Sequence, residues 1–204
     1  ATQAAQAEIP VFGVNVGRLG FMTTTGIGTM YQGIDQWLRG KWPISARMML
    51  EITSPSLKGF HLALNDAVIR IGSPTRVTQV NVTMNGEGMG TLIGDGVIVA
   101  TSTGSTAYSL SAQGPVVHPE IDAMVLTPIC PHSFSQRPIV FPSNQTLELC
   151  LQDKHNKNEV QLCLDGQRVY ELKTGDRISI KQSVYKLQLV YNPQTPYLRV
   201  LRDK

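Results

Sequence analysis

The residues whose types and spacing could do chemistry concentrate between Gly94 and Ser111, in the stretch GDGVIVATSTGSTAYSLS. Val97 to Ala100 is a continuous apolar run and reads as a buried strand. It gives way to Thr101, Ser102, Thr103, Gly104, Ser105 and Thr106. Ala107 to Gln113 then reads as a short helix, with Thr106 or Ser105 as its N-cap. A strand that feeds a Gly/Ser/Thr turn and a helix start collects backbone N–H groups and hydroxyls. Such a junction suits the phosphates or sugar hydroxyls of a nucleotide. Asp95, just ahead of the strand, offers a carboxylate to ribose hydroxyls, and Tyr108 offers an aromatic face and a phenol. The same pattern also describes an ordinary capped turn, so the chemistry alone leaves both readings open.

A second pair of interest is Asn65–Asp66, which interrupts the apolar run Leu62 to Ile69. Neighbours on a strand point to opposite faces, so one of the two should point inward and need partners. It either braces a loop or reads a ligand; an amide both donates and accepts, which suits an adenine edge or a ribose hydroxyl. His118 and His132 each adjoin a proline, lack a second ligand at metal spacing, and read as loop histidines. Gln167 follows the turn pair Asp165-Gly166 and reads as an exposed turn residue, and Arg76 as a solvated cation or a phosphate contact. The sequence has no nucleophile elbow, P-loop or paired-carboxylate signature. Asp66 and Asp95 are its best carboxylates, and neither has a nucleophile beside it.

The elements that must position these residues are mostly strands. Alternation marks Leu50/Ile52, Val80/Val82/Met84, Leu147/Leu149/Leu151, Val160/Leu162/Leu164, Ile178/Ile180 and Leu187/Leu189, with Asn85-Gly86 and Asp165-Gly166 as hairpin turns. Many short strands at this spacing predict a mostly antiparallel, sandwich-like β domain over 46–204. Ahead of it, Ala1 to Glu8 reads as the end of a helix. Ile9 to Val14 reads as a parallel strand buried on both faces, followed by the glycine turn Asn15 to Phe21. Gln32 to Arg39 reads as an amphipathic helix with Ile34, Trp37 and Leu38 on one face, ended by Gly40. A parallel strand needs crossover neighbours, so residues 1–45 are expected to be the tail end of an α/β domain that begins earlier. The fold class expected is α+β.

The 204 residues carry a net charge of +3 with both signs interspersed, and no Lys/Arg cluster marks a nucleic-acid or membrane surface. Three cysteines without paired spacing argue against a disulfide framework or a zinc site and point to a reducing compartment. No apolar run is long enough to span a membrane.

Four segments, Asn15–Phe21 (NVGRLGF), Ala63–Val68 (ALNDAV), Asp95–Ser111 and Leu126–Pro138 (LTPICPHSFSQRP), together resemble the NAD kinase family in order and spacing. The resemblance covers essentially the whole chain; Asp165-Gly166-Gln167 and Leu201–Lys204 fit it less specifically. It implies phosphorylation of the 2′-hydroxyl of the adenosine ribose of NAD to give NADP. The implied donor is ATP or polyphosphate, with a divalent metal such as magnesium. It implies an α/β domain followed by a β-rich one, assembly as a homodimer or homotetramer through the latter, and a cytoplasmic location. By position it implies that Asn65 and Asp66 contact the adenosine half of NAD and that Asp95 binds the nicotinamide half. Thr106, Ala107, Tyr108, Ser109, Leu110 and Ser111 match the loop that wraps the dinucleotide, and Arg76 and Gln167 line the same site. Asn65, Asp95 and Tyr108 are therefore expected on one face.

The family's general base lies in a GGDG motif, which is expected shortly before the segment that opens this chain and is absent from it. No residue present is assigned as the base or as a metal ligand. Ile93 stands where several bacterial members carry a basic residue. Two other readings compete: a non-catalytic module that binds NAD or NADP, and a distant lipid or sphingosine kinase relative, whose acceptor would need a large apolar cleft.

Overall fold

The computed structural model describes residues 1–17, 20–72, 77–152 and 160–203. In chain order come α1 (Thr2–Gln6), β1 (Val14–Asn15), β2 (Thr25–Gly26) and α2 (Met30–Leu38). The strands β3 (Ile44–Thr53), β4 (Phe60–Ala63), β5 (Asp66–Ile71), β6 (Thr78–Met84), β7 (Glu87–Gly94) and β8 (Gly96–Thr101) follow. A short helix, α3 (Tyr108–Ser111), precedes β9 (Ala123–Ile129), β10 (Ile139–Pro142) and β11 (Leu147–Leu151). The chain continues through β12 (Val160–Leu164), β13 (Arg168–Leu172) and β14 (Arg177–Val190) to α4 (Tyr197–Arg202). Two compact units result: Ala1–Arg47 with Tyr185–Lys204, and Met48–Val184.

The larger unit is built on two six-stranded sheets, ordered β10-β9-β8-β5-β12-β13 and β4-β3-β14-β11-β6-β7. All five neighbouring pairs of the first sheet are antiparallel, as are β4–β3, β14–β11, β11–β6 and β6–β7 in the second. Alternate residues of both sheets meet in one core. Leu50, Ile52, Val80, Val82, Leu147, Leu149, Ile178 and Ile180 come from one sheet; Ile69, Val97, Val99, Leu126 and Leu162 come from the other. This is the expected sandwich within an α+β chain. β8 and β9 are buried along their whole length because both faces are covered: their second face joins Val68, Ile98, Ala100, Val117, Val125 and Cys163 in a smaller apolar cluster. The run Val97 to Ala100 is continuously apolar for that reason. The hairpin turns are where the sequence places them. Asn85 (φ 50°) with Gly86 (φ 83°) joins β6 to β7, and Asp165 (φ 51°) with Gly166 (φ 66°) joins β12 to β13. These are the left-handed pairs that match strand twist.

In the smaller unit α2 carries Ile34 and Trp37 half-buried, but Leu38 is 73% exposed and lies off the expected apolar face. Its closest packing is through Gly33, where a Cβ would stand 2.8 Å from the Trp42 ring and 2.9 Å from the Phe12 ring. Those two rings stack with centroids 5.9 Å apart. Gly40 (φ 70°) ends the helix, its N–H donating to the Trp37 carbonyl. Ile9 to Val14 is not one buried strand. Only Val11, in an isolated parallel bridge to Leu189, and the two-residue β1, parallel to β2, make ladder contacts, and the segment is half-buried or exposed. Pro10 lacks a donor, and Gly13 has no room for a Cβ against the Met22 carbonyl, so pairing is local on either side of them. Asn15 closes the following turn with bonds from its Nδ2 to the Gly17 carbonyl (2.9 Å) and to its Oδ1 from the Gly17 N–H (3.0 Å).

Two further expectations change. Ile178/Ile180 and Leu187/Leu189 belong to one 14-residue strand, β14. No glycine or proline interrupts Ser183 to Lys186, so nothing in the backbone forces a turn there. The helix expected over 107–113 shortens to α3, preceded by a single 3₁₀ turn at Gly104–Thr106. Ala107 is its N-cap and carries no side-chain cap, because the hydroxyls of Ser105 and Thr106 are engaged elsewhere.

Candidate functional site

The connection from β4 to β5 is a tight turn at Leu64–Asn65, and a residue one hundred positions later holds it. The Asp165 carboxylate accepts the backbone N–H groups of Leu64 (2.9 Å), Asn65 (2.7 Å) and Asp66 (3.3 Å). The Asp165 N–H in turn donates to the Asp66 carbonyl at 3.0 Å. From the other side Thr101 donates its N–H to the Asn65 carbonyl (2.9 Å) and its hydroxyl to the Leu64 carbonyl (2.6 Å). Gly104 lies so close that a Cβ there would overlap the Asn65 carbonyl. The Asn65–Asp66 pair is thus fixed through its backbone, which leaves the Asn65 side chain free of structural duty.

The hydroxyl-rich turn Thr101–Thr106 behaves differently from the nucleotide cradle its composition suggests. Thr101, Ser102, Thr103 and Ser105 are buried. Ser102 donates to the carbonyls of Ile121 and Ala123. Ser105 donates to Ser102 O (2.7 Å) and accepts the Val117 N–H (3.0 Å), and Thr106 donates to Thr103 O (3.3 Å). These hydroxyls satisfy the backbone of the turn and of the segment that covers it, as buried polar groups must. They build the rigid wall that presents Ala107 and Tyr108.

A cleft of about 300 Å³ opens beside that wall, lined by Asn65, Asp66, Val68, Arg70, Ala107, Tyr108, Cys163, Asp165 and Gly166. Tyr108 is 40% exposed, so its ring is available. Asp66 is only 4% exposed. Burial, then the neighbouring charge of Asp165, pushes its carboxyl up to about 6, against the pull of the Tyr108 backbone N–H that it accepts. Arg70, exposed, shares a strand face with Asp66 and Val68 and lies about 13 Å along it from Asp66 by strand rise. The cleft therefore has an amide and two carboxyl groups at one end, an aromatic ring on its wall and a cation at the other. That set suits a base and ribose next to a phosphate. Among the described residues no group of three or more His, Cys, Asp or Glu is placed to hold a metal ion, so no step is assigned to one.

Of the residues expected to act, Asn65, Asp66, Ala107 and Tyr108 are brought together. Thr106 adjoins them, and Leu110 and Ser111 are exposed on α3. Ser109 is fully buried with its hydroxyl 2.9 Å from that of Thr127, which fixes α3 on the sheet. Gln167 is exposed beyond the Asp165-Gly166 turn, as expected. Arg76 lies outside the described residues. Asp95 does not line the cleft with Asn65 and Tyr108. It precedes β8 while the Thr101 turn follows it, and its carbonyl accepts the Ile71 N–H, five residue pairs along from Asp66, or about 17 Å. There Asp95 is exposed and accepts the thiol of Cys130. His118 and His132 sit in loops; the Glu120 N–H donates to His118 Nδ1 (3.4 Å), and the His132 N–H donates to the Ile93 carbonyl (2.9 Å). Sequence reasoning missed Asp165, read only as half of a turn. Nothing local marks it, since its partners are a hundred residues away.

Comparison with known proteins agrees with this architecture. The model of the ATP-NAD kinase C-terminal domain matches residues 64–192. The NAD kinase of Desulforamulus reducens is 42% identical over 207 residues, covering 100% of this chain and 71% of that protein. The NAD kinase of Geotalea daltonii is 39% identical over 201 residues, covering 97% and 70%. Among solved structures, yeast NADH kinase complexed with NADH superposes with a TM-score of 0.87 at 28% identity, covering 96% of this chain and 58% of that one. An Archaeoglobus fulgidus NAD kinase in complex with ATP gives a TM-score of 0.80 at 25% identity, covering 94% and 74%. Fold, cleft and relatives define a phosphotransferase built on a β sandwich. The chain belongs to the NAD kinase family.

Proposed function

We propose that the protein phosphorylates the 2′-hydroxyl of the adenosine ribose of NAD to give NADP, and that the cleft between Asn65 and Arg70 takes the adenosine half. The observation that carries the reading is the convergence of Asn65, Asp66, Ala107 and Tyr108 on one cleft from two segments forty residues apart. In this reading Tyr108 packs on the base, Asn65 and Asp66 bond its edge or the ribose, and Arg70 meets phosphate. Thr106, Ser111 and Gln167 flank the ligand, Leu110 borders it, and Ser109 acts by anchoring α3. These residues bind and orient, which is most of what phosphoryl transfer asks of a protein. The family's GGDG base is not among the 204 residues, and none of these residues is given that part. ATP is the donor we expect, with polyphosphate as the second to assay, and magnesium belongs to the expected reaction mixture.

Asp95 enters as the contact to the nicotinamide half. A homo-oligomer is also expected. The edge strands β10 and β13 leave backbone groups unpaired and carry half-exposed Ile139, Val140 and Val169, which supports self-association. We expect a cytoplasmic protein; among the described residues no helix is long and apolar enough to cross a membrane.

The test is calorimetric titration of the protein with NAD and with NADH, beside a Tyr108→Ala variant, followed by an assay of NADP formation from ATP. Binding that Tyr108→Ala weakens at least tenfold supports the cleft. Equal binding by a folded Tyr108→Ala protein sinks it. Binding without NADP formation would favour the non-catalytic module.

A further inference from the structure

We propose that Asp165 is a positioning residue for dinucleotide binding: its carboxylate clamps the Leu64–Asp66 turn so that Asn65 and Asp66 face the cleft before any ligand arrives. The inference rests on the reading of the cleft as the adenosine site.

The geometry is specific. Three consecutive backbone N–H groups, at 2.9, 2.7 and 3.3 Å, converge on one carboxylate. Two of them belong to Leu64 and Asn65, which lie outside β4 and β5 and so have no ladder partner. Hydrogen bonds to an ionised acceptor are the strong ones. Asp165 can supply one because its own backbone is held in the left-handed region, with φ of 51°, at the start of the three-residue turn between β12 and β13. Arg168, three residues on, ties the same hairpin to β4 by donating to the Leu62 carbonyl. The hairpin therefore grips the β4–β5 connection at several points, and the pair that reads the ligand sits between them. A turn fixed in advance spares the ordering cost that a mobile one would impose on binding.

The clamp also has an electrostatic consequence. The titratable groups that line the cleft with Asp66 are Asp165 from the β12–β13 turn, Tyr108 from α3, Cys163 from β12 and, at the far end of the same strand, Arg70. The Asp165 charge is one of the causes that hold the Asp66 carboxyl up. Burial is the larger cause, and the Asp165 charge adds to it, so the same carboxylate that holds the turn also bears on the protonation of Asp66.

The test is NAD affinity from pH 5 to pH 8 in wild type and in Asp165→Asn. An amide in place of the carboxylate keeps the size but turns one acceptor into a donor facing the turn. We expect NAD affinity to fall at least tenfold and the midpoint of its pH dependence to move to lower pH. An unchanged affinity in a folded variant, or a loss with an unmoved midpoint, overturns the proposal. Should Asp165→Asn not fold, hydrogen exchange in the free wild type decides. Slow exchange of the Leu64 and Asn65 amides without NAD supports the clamp, and fast exchange that slows only when NAD is added overturns it. Failure of wild type to bind NAD is a different result. It removes the functional reading itself, while amide protection at Asn65 still reports whether the clamp exists.

Discussion

The two ends of β8 carry polar sequence of similar promise and have opposite structural fates. At the carboxyl end, Thr101 to Ser105 is buried, internally bonded and pressed against the Asn65 turn, with Tyr108 presented beyond it. At the amino end, Asp95 stands exposed, joined to the sheet by its backbone and to the Cys130 thiol by its side chain. Six residues of strand separate them. In a sheet, a motif that is continuous in sequence is spread along the strand rise, whereas residues from three different connections at one end of a sheet become neighbours. The difference between the ends can be attacked directly.

The largest effect is expected from Gly104→Ala. A methyl at Gly104 would overlap the Asn65 carbonyl, which is backbone and is itself held by Thr101. Nothing flexible is there to yield. We expect a loss of about 3 kcal/mol or more, in the range of severe overpacking, read by urea denaturation, and loss of NAD binding in whatever fraction folds. A variant within 1 kcal/mol of wild type would show that the braced end is softer than the contacts imply.

Asp66→Asn should have a smaller, pH-dependent effect. The folded-state pKa of Asp66 is raised to about 6 from 3.8. A carboxyl raised in this way contributes stability that is complete below about pH 4 and is lost as pH rises through about 6. Two units correspond to about 3 kcal/mol. The wild type should therefore lose up to about 3 kcal/mol more than Asp66→Asn between pH 4 and pH 8, and the variant should be the more stable of the two at pH 8. The asparagine can still accept the Tyr108 N–H through its amide oxygen. Parallel pH profiles for the two proteins would refute the burial of an ionising group here.

Legibility in the sequence follows the range of the interaction. The apolar run of β8 and the Asn85-Gly86 and Asp165-Gly166 turns are local signals, and they read correctly. So do the alternating strands, and with them the sandwich. Composition marks the Thr101–Thr106 turn, but it does not reveal that Ser105 spends its hydroxyl on Val117, twelve residues on. Leu38 has the right spacing for the face of α2 and is still exposed, because that face packs through Gly33 onto Phe12 and Trp42. The role of Asp165 depends on the pairing of β12 with β5, a contact no window of sequence contains. Resemblance supplied the candidate residues; only the fold shows that Asn65 and Tyr108 meet and that Asp95 does not join them in the same cleft.

The smallest stability effect is expected at that other end, and it is still informative. Asp95→Ala removes an exposed side chain whose backbone bonds to Ile71 and Ile129 survive the change, so stability should move by about 0.5 kcal/mol or less. The consequence lies in its neighbour. Cys130 is exposed, and its thiol is held above its ordinary pKa, first by its hydrogen bond to Asp95, then by that residue's charge, and last by slight burial. Removing the carboxylate takes away the first two causes and raises the thiolate fraction at pH 8, so alkylation of Cys130 by iodoacetamide should speed up. The ligand readout then separates the two ends of β8. Since Asp95 lies about 17 Å from Asp66 along the sheet, Asp95→Ala should leave the affinity for AMP unchanged while weakening that for NAD. Equal loss of both ligands would mean that the amino end of β8 acts on the adenosine cleft after all, and the contrast between the two ends would fall.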